Sequence, residues 1–138
     1  MLKLHLGYPS EDEETTVIDR AVGGHAIDDI EPVARAEDLQ AVRATTARIE
    51  VGDAVQSYVT RLASHTREHA QLGASPRGSI ALVRAAQGRA LLDSRSYVVP
   101  DDVQAAAPVV FPHRMQAEPD DDAAELVARA LETVPVEG

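Results

Sequence analysis

The sequence predicts an all-α protein, a helical bundle of about five to six helices with one orphan strand segment at the N-terminus. Three observations carry that prediction. Apolar residues recur at helical spacing over most of the chain, start and stop signals bracket each periodic stretch, and only one short run alternates in the manner of a strand. The composition agrees, since 44% of residues are hydrophobic, mostly Ala, Val and Leu, and only 3% are aromatic, a balance that suits a globular helical chain rather than a disordered one.

The strand-like run is Leu2-Lys3-Leu4-His5-Leu6, which ends at the turn Gly7-Tyr8-Pro9. With no second strand to pair with, it reads as the end of something missing. Ser10 and Glu13 have capping-box spacing, and Val17, Ile18, Ala21 and Val22 supply the stripe of a first helix ending at Gly23-Gly24. His25 to Arg35, with Asp28, Asp29 and Pro32, reads as a loop. A second helix starts near Ala36, with Leu39, Val42, Thr46 and Ile49 on one face. Asp53 is placed to cap a third, with Val55, Tyr58, Val59 and Leu62 inward. Ser75 and Pro76 open a fourth, whose stripe is read as Ile80, Val83, Gln87 and Leu91 up to about Ser94. Gly88 inside it costs about 1 kcal/mol relative to alanine, so close packing against a neighbour is expected there. Tyr97-Val98-Val99 is extended because a proline follows, and Pro100-Asp101-Asp102-Val103 opens a fifth helix. A sixth runs from about Asp122 to Val134, with Val127, Ala130, Leu131 and Val134 in register before Pro135.

A length of 138 residues fits one domain able to bury a core without disulfide or metal support. Cysteine is absent, which removes disulfides, thiolate zinc sites and cysteine nucleophiles. The formal net charge of -10 argues against nucleic acid or an anionic membrane as partner. No apolar run approaches about 20 residues and no signal-peptide layout opens the chain, so membrane insertion is not expected and a cytoplasmic location is. Lys3 is the only lysine, so no Walker-type phosphate loop ending in Gly-Lys-Ser/Thr exists within these residues.

The stretch Gly73-Ala74-Ser75-Pro76-Arg77-Gly78-Ser79 is the most informative motif. Gly73 breaks what precedes, Ser75 suits the N-cap, Pro76 suits the first helical position, and Arg77 therefore falls at the second. A helix N-terminus carries about half a positive charge and unpaired N–H groups, so an arginine there costs roughly 0.3–1 kcal/mol unless an anion is shared. Arg77 is thus either an anion-sensing arginine at a phosphate-competent helix start or a surface arginine that is merely tolerated.

Other motifs resolve less well. His65-Thr66-Arg67-Glu68-His69 matches the H-x-x-E-H pattern of inverted zinc proteases, but no third ligand is identifiable, and a basic helix C-terminus accounts for the same residues. Asp120-Asp121-Asp122 lacks the alternation of a calcium loop and suits an acidic helix start, as does Glu11-Asp12-Glu13-Glu14. His25 and His113 fall in loops with no partner visible. No Gly-x-Ser-x-Gly elbow is present, so no catalytic residue and no metal ligand is assigned to this chain in isolation.

The ordered set Gly7-Tyr8-Pro9-Ser10, Thr66-Arg67-Glu68-His69, Gly73-Ala74-Ser75-Pro76-Arg77-Gly78-Ser79, Tyr97-Val98-Val99-Pro100-Asp101-Asp102-Val103 and His113-Arg114 resembles the C-terminal lid subdomain of MoxR-type AAA+ ATPases. The order and intervals agree over nearly the whole chain. The resemblance implies an α-helical lid over residues 7–138, with residues 1–6 as the remnant last strand of the large subdomain. It implies that Arg77 is the sensor-2 residue reaching the γ-phosphate of ATP, with Ser75 and Pro76 beside it. ATP with Mg would be the cofactor of the intact protein, with none held tightly by this chain alone. The implied partners are the AAA+ large subdomain, neighbouring ring subunits and a client protein of unknown identity. The whole would be a chaperone-like or regulatory ATPase whose hydrolysis is coupled to ring movement. Val99 departs from the threonine frequent in the family before the proline, which removes an N-cap side chain worth about 1 kcal/mol. A start at Met1 without the nucleotide-binding core implies a fragment, a separately produced subdomain or a mis-started frame. The alternative reading is a stand-alone helical adaptor that binds a protein through an apolar groove.

Overall fold

A computed structural model describes residues 2–24 and 30–136. The expected loop positions His25, Asp28 and Asp29 lie outside the described residues. Six α-helices appear among them: α1 (Glu11–Gly23), α2 (Ala36–Thr46), α3 (Asp53–His69), α4 (Pro76–Leu92), α5 (Pro100–Val110) and α6 (Ala123–Thr133), with a 3-10 turn at Pro112–Arg114 before α6. The all-α expectation holds. No strand forms at Leu2–Leu6; the main-chain tie there is from Lys3 N–H to the Val109 carbonyl, 3.0 Å. The alternation of that run has no sheet to act on among the described residues.

The chain divides into two compact units, residues 4–41 and residues 1–3 with 42–138, the division falling within α2. In the first unit α1 is set by its caps. The Ser10 N–H donates to Glu13 Oε2 (2.8 Å), and the Glu13 N–H donates to Ser10 Oγ (3.4 Å), completing the predicted capping box. At the start of α2 the Arg35 N–H donates to Asp38 Oδ2 (2.8 Å). The stripe expected to be buried is not: Val17, Ile18, Val22 and Leu39 are all exposed. Capping and propensity suffice to wind these helices, and burial is a separate requirement that periodicity alone does not meet.

The second unit has a continuous core. Tyr58, Val59, Leu62 and Ala63 of α3 meet Leu82, Ala86 and Ala90 of α4, Val103, Ala106, Ala107 and Val110 of α5, and Val127 and Ala130 of α6, with Phe111 closing one end. Alanines on the facing sides of α4 and α5 let the two axes approach closely. The α4 stripe is therefore rotated from the one expected: Leu82 is fully buried while Ile80 is 57% exposed. The small residues Ala86 and Ala90 carry the contact, and the bulkier Ile80 and Val83 line a flanking groove of about 410 Å³ with Val51 and Val59 of the α3 side. Gln87 is a tie rather than a stripe residue, its Nε2 donating to the Ile49 carbonyl (2.8 Å). Gly88 has no neighbour within 4 Å of a notional Cβ, so the packing expected there is absent.

Two isolated bridges tie loops together, Glu50 with Tyr97 and Leu72 with Gln116. The first uses the extended Tyr97–Val99 segment that the proline rule predicts. α3 is capped by Gly52, with Asp53 its first helical residue rather than its cap. At α5, Val99 has no capping side chain, but its N–H donates to Asp102 Oδ2 (2.9 Å). Asp122 caps α6 by accepting from the Ala124 N–H (2.6 Å), which accounts for part of the acidic run, and Asp121 pairs with Arg129 (3.3 Å).

Candidate functional site

The site is built at the junction of α3 and α4, and its parts come from the two motifs on either side of the connecting loop. Thr66, fully buried on α3, donates its hydroxyl to the Ala63 carbonyl (2.8 Å) and accepts from the Ala74 N–H (3.0 Å). The next residue, Arg67, donates Nε to the Ala74 carbonyl (2.8 Å). Consecutive side chains thus hold both backbone polar groups of one buried alanine. Gly73 makes this possible, because a Cβ there would fall on the backbone of Thr66 and Arg67. The glycine is required by close approach and not by a positive φ.

From this clamp the chain enters α4. Ser75 takes the N-cap position with φ -73 and ψ 166, but its hydroxyl makes no cap bond, a departure from the expected side-chain cap. The Ser75 carbonyl instead accepts from the N–H groups of Gly78 (2.7 Å) and Ser79 (3.2 Å). Pro76 is the first helical residue and Arg77 the second, as the spacing predicts. Arg77 is exposed, and among the described residues it enters no ion pair. Ser75 and Arg77 thus both lie at the N-terminal end of a 17-residue helix, which carries partial positive charge.

The end of α4 is fastened separately. Arg95 reaches Asp102 with two hydrogen bonds of 2.7 Å and Asp93 with one of 2.9 Å. Asp102 is 2% exposed. Its carboxyl is held below the usual range first by the Arg95 hydrogen bonds, with the Val99 N–H adding to this and burial opposing it. Neither motif spacing nor periodicity pointed to this pair; an acid in a first turn looked sufficient as a dipole partner.

The H-x-x-E-H residues take the bland arrangement. The rings of His65 and His69 stack with centroids 4.1 Å apart, and His69 Nδ1 donates to the His65 carbonyl (2.8 Å). Burial, then the neighbouring His69, pushes the His65 pKa below its ordinary value. No group of three or more His, Asp or Glu side chains suited to a metal occurs among the described residues, and no helix among them is long and apolar enough to cross a membrane. His113 is exposed in the 3-10 turn.

The geometry defines a helical bundle whose second core helix opens on a clamped, arginine-bearing turn. A family profile described as AAA lid domain matches residues 62–133, which include the clamp, Arg77, Asp102 and Arg114. The chain is 43% identical over 122 residues to "Uncharacterized protein YeaC" of Bacillus subtilis, covering 87% of this chain and 38% of that one. It is 33% identical over 150 residues to "Chaperone MoxR1" of Mycobacterium tuberculosis, covering 97% and 39% respectively. A crystal structure of a "putative ATPase" from Cytophaga hutchinsonii superposes with a TM-score of 0.86 at 22% identity, over 100% of this chain and 47% of that one, and shows the shared fold. The chain belongs to the AAA lid domain family. It spans less than half the length of the relatives it matches.

Proposed function

We propose that this chain is the lid of an ATP-hydrolysing MoxR-type ATPase and that Arg77 is its sensor-2 residue, reaching the γ-phosphate of ATP held on the large subdomain. The observation that carries the reading is the placement of Arg77: exposed, without an ion-pair partner among the described residues, and fixed two residues after a helix cap whose preceding residue is clamped by Thr66 and Arg67. ATP, with Mg, supplies the transferable phosphoryl group and its charge when bound. On this chain the donor set of Arg77 and Ser75 fits a phosphoryl oxygen, with Pro76 fixing the turn.

The role of Arg77 is electrostatic. Its guanidinium favours the closed lid and the charge spread over the transferring group. Because the clamp joins the start of α4 to α3, movement of Arg77 toward phosphate carries the helical core with it. Transmission of that rotation to neighbouring ring subunits in the cytoplasm, acting on a client protein, completes the reading, and hydrolysis needs the large subdomain. Hydrogen exchange on the intact ATPase tests it. Addition of a slowly hydrolysed ATP analogue is expected to protect the amides of residues 75 and 77–80 and to leave them unprotected in Arg77→Ala. Equal protection in the variant would remove Arg77 from the contact.

A further inference from the structure

His65 and His69 stand about one turn apart on α3, so their side chains share a face of the helix. Their rings stack with centroids 4.1 Å apart and planes 21° from parallel. A basic helix end accounts for histidines here, but not for the bond that orients one of them. His69 Nδ1 meets the His65 carbonyl at 2.8 Å. A carbonyl can only accept, so Nδ1 holds the ring hydrogen and Nε2 carries the lone pair of the neutral ring. An imidazole bound to a metal is commonly supported in this way, its second nitrogen donating to a backbone carbonyl.

No hydrogen bond holds the His65 ring among the described residues. Two nitrogens bound to one tetrahedral metal at about 2.0–2.1 Å lie about 3.4 Å apart. Rings 4.1 Å apart reach that spacing when the His65 ring tilts and the two Nε2 lone pairs converge. Glu68 lines a groove of about 350 Å³ together with His65 and supplies negative charge beside it. The neighbouring cations are engaged: Arg61 with the Pro135 carbonyl (3.2 Å), Arg67 with the Ala74 carbonyl (2.8 Å) and Arg129 with Asp121 (3.3 Å). No third His, Asp or Glu ligand stands with the pair among the described residues, so water completes the coordination and the site lacks the third protein ligand of a hydrolytic zinc.

Thr66 and Arg67, whose side chains hold Ala74, lie between the two histidines in sequence. The last turn of a helix has carbonyls without intrahelical partners and opens readily. A metal bridging His65 and His69 fastens that turn from outside. We propose that His65 and His69 chelate one divalent transition-metal cation of the zinc and copper class through Nε2, and that the bound ion stiffens the turn carrying the Ala74 clamp. Imidazole nitrogens select such cations over magnesium and calcium, which take oxygen ligands. The inference is independent of any role of Arg77.

The test is an NMR titration of the untagged 138-residue chain with Zn²⁺ near pH 7.5, with amide hydrogen exchange read in the same samples. Saturable shifts are expected at residues 65–69, and the Ala74 amide should exchange about threefold or more slowly when Zn²⁺ is saturating. His65→Gln and His69→Gln should each weaken binding about tenfold or more, because either leaves one ligand without its chelating neighbour. His69 is exposed, so His69→Gln carries the test if the His65 variant fails to fold. His113→Gln, at an exposed histidine in the 3-10 turn, should leave affinity within about twofold. Mg²⁺ should give no saturable shift at these residues. The chelate is overturned by the absence of a saturable Zn²⁺ response below about 1 mM, by unchanged affinity in His69→Gln, by equal weakening in His113→Gln, or by an equal response to Mg²⁺. Binding with unchanged Ala74 exchange would overturn the link to the clamp.

Discussion

Thr66→Val tests the clamp that sets Arg77 in place. The substitution keeps side-chain shape and removes a hydroxyl that makes two hydrogen bonds, one to the Ala63 carbonyl (2.8 Å) and one from the Ala74 N–H (3.0 Å). The Ala63 carbonyl also serves the helix ladder, so its loss costs little. The buried Ala74 N–H keeps no other acceptor among the described residues, and a stranded buried donor costs about 1–3 kcal/mol. With the Ala63 contact adding little, the expected destabilisation is about 2 kcal/mol, the middle of that range. At a urea m-value of about 1–3 kcal/mol/M, the midpoint should fall by roughly 1–2 M with m unchanged. Arg67→Ala should cost less, and the double variant should be less destabilised than the sum, because both side chains hold one residue. A midpoint within 0.2 M of wild type, on the order of 0.5 kcal/mol or less, would refute the clamp.

Two further outcomes follow from the same geometry. Gly73→Ala places a methyl on the backbone of Thr66 and Arg67 and should lower stability by more than 3 kcal/mol, the order of a large overpacking cost; a thermal melt within a few degrees of wild type would contradict the close approach. Asp102→Ala removes the buried partner of Arg95 and should cost about 3 kcal/mol at pH 7, the low end for a broken buried pair because Arg95 keeps Asp93. Because the folded pKa of Asp102 is lowered, its contribution is complete above the unfolded value of about 3.9 and is lost as pH falls through the lowered folded value. The stability gap between wild type and variant should therefore close in acid, and a gap constant down to pH 2 would show that the carboxylate is not responsible.

Much of the fold was legible because its signals are local. Ser10 with Glu13, Pro76 and Pro100 at helix starts, and Asp122 before α6 each act within one turn, and each helix began where they indicated. Burial was legible only where bulky residues faced the core, as on α3. On α4 the core face is alanine, and alanine carries too little hydrophobic weight to outvote Ile80 and Val83 in a periodic reading. At the site, Arg77 was placed correctly by capping chemistry. The residues that hold the start of α4, Thr66 and Arg67, act across a loop. Nothing in their spacing reveals that Arg67 meets the Ala74 carbonyl.

The most direct measurement is steady-state ATP turnover of the full-length protein proposed above, carrying Arg77→Ala, taken beside the unfolding stability of the same variant. Arg77 is exposed and outside the ion pairs of the described residues, so stability should change by no more than about 0.5 kcal/mol. Loss of a cation positioned on a transferring phosphoryl group should lower kcat by roughly 100-fold or more. Turnover within a few-fold of wild type, with stability unchanged, would contradict the assignment of Arg77 to the phosphate.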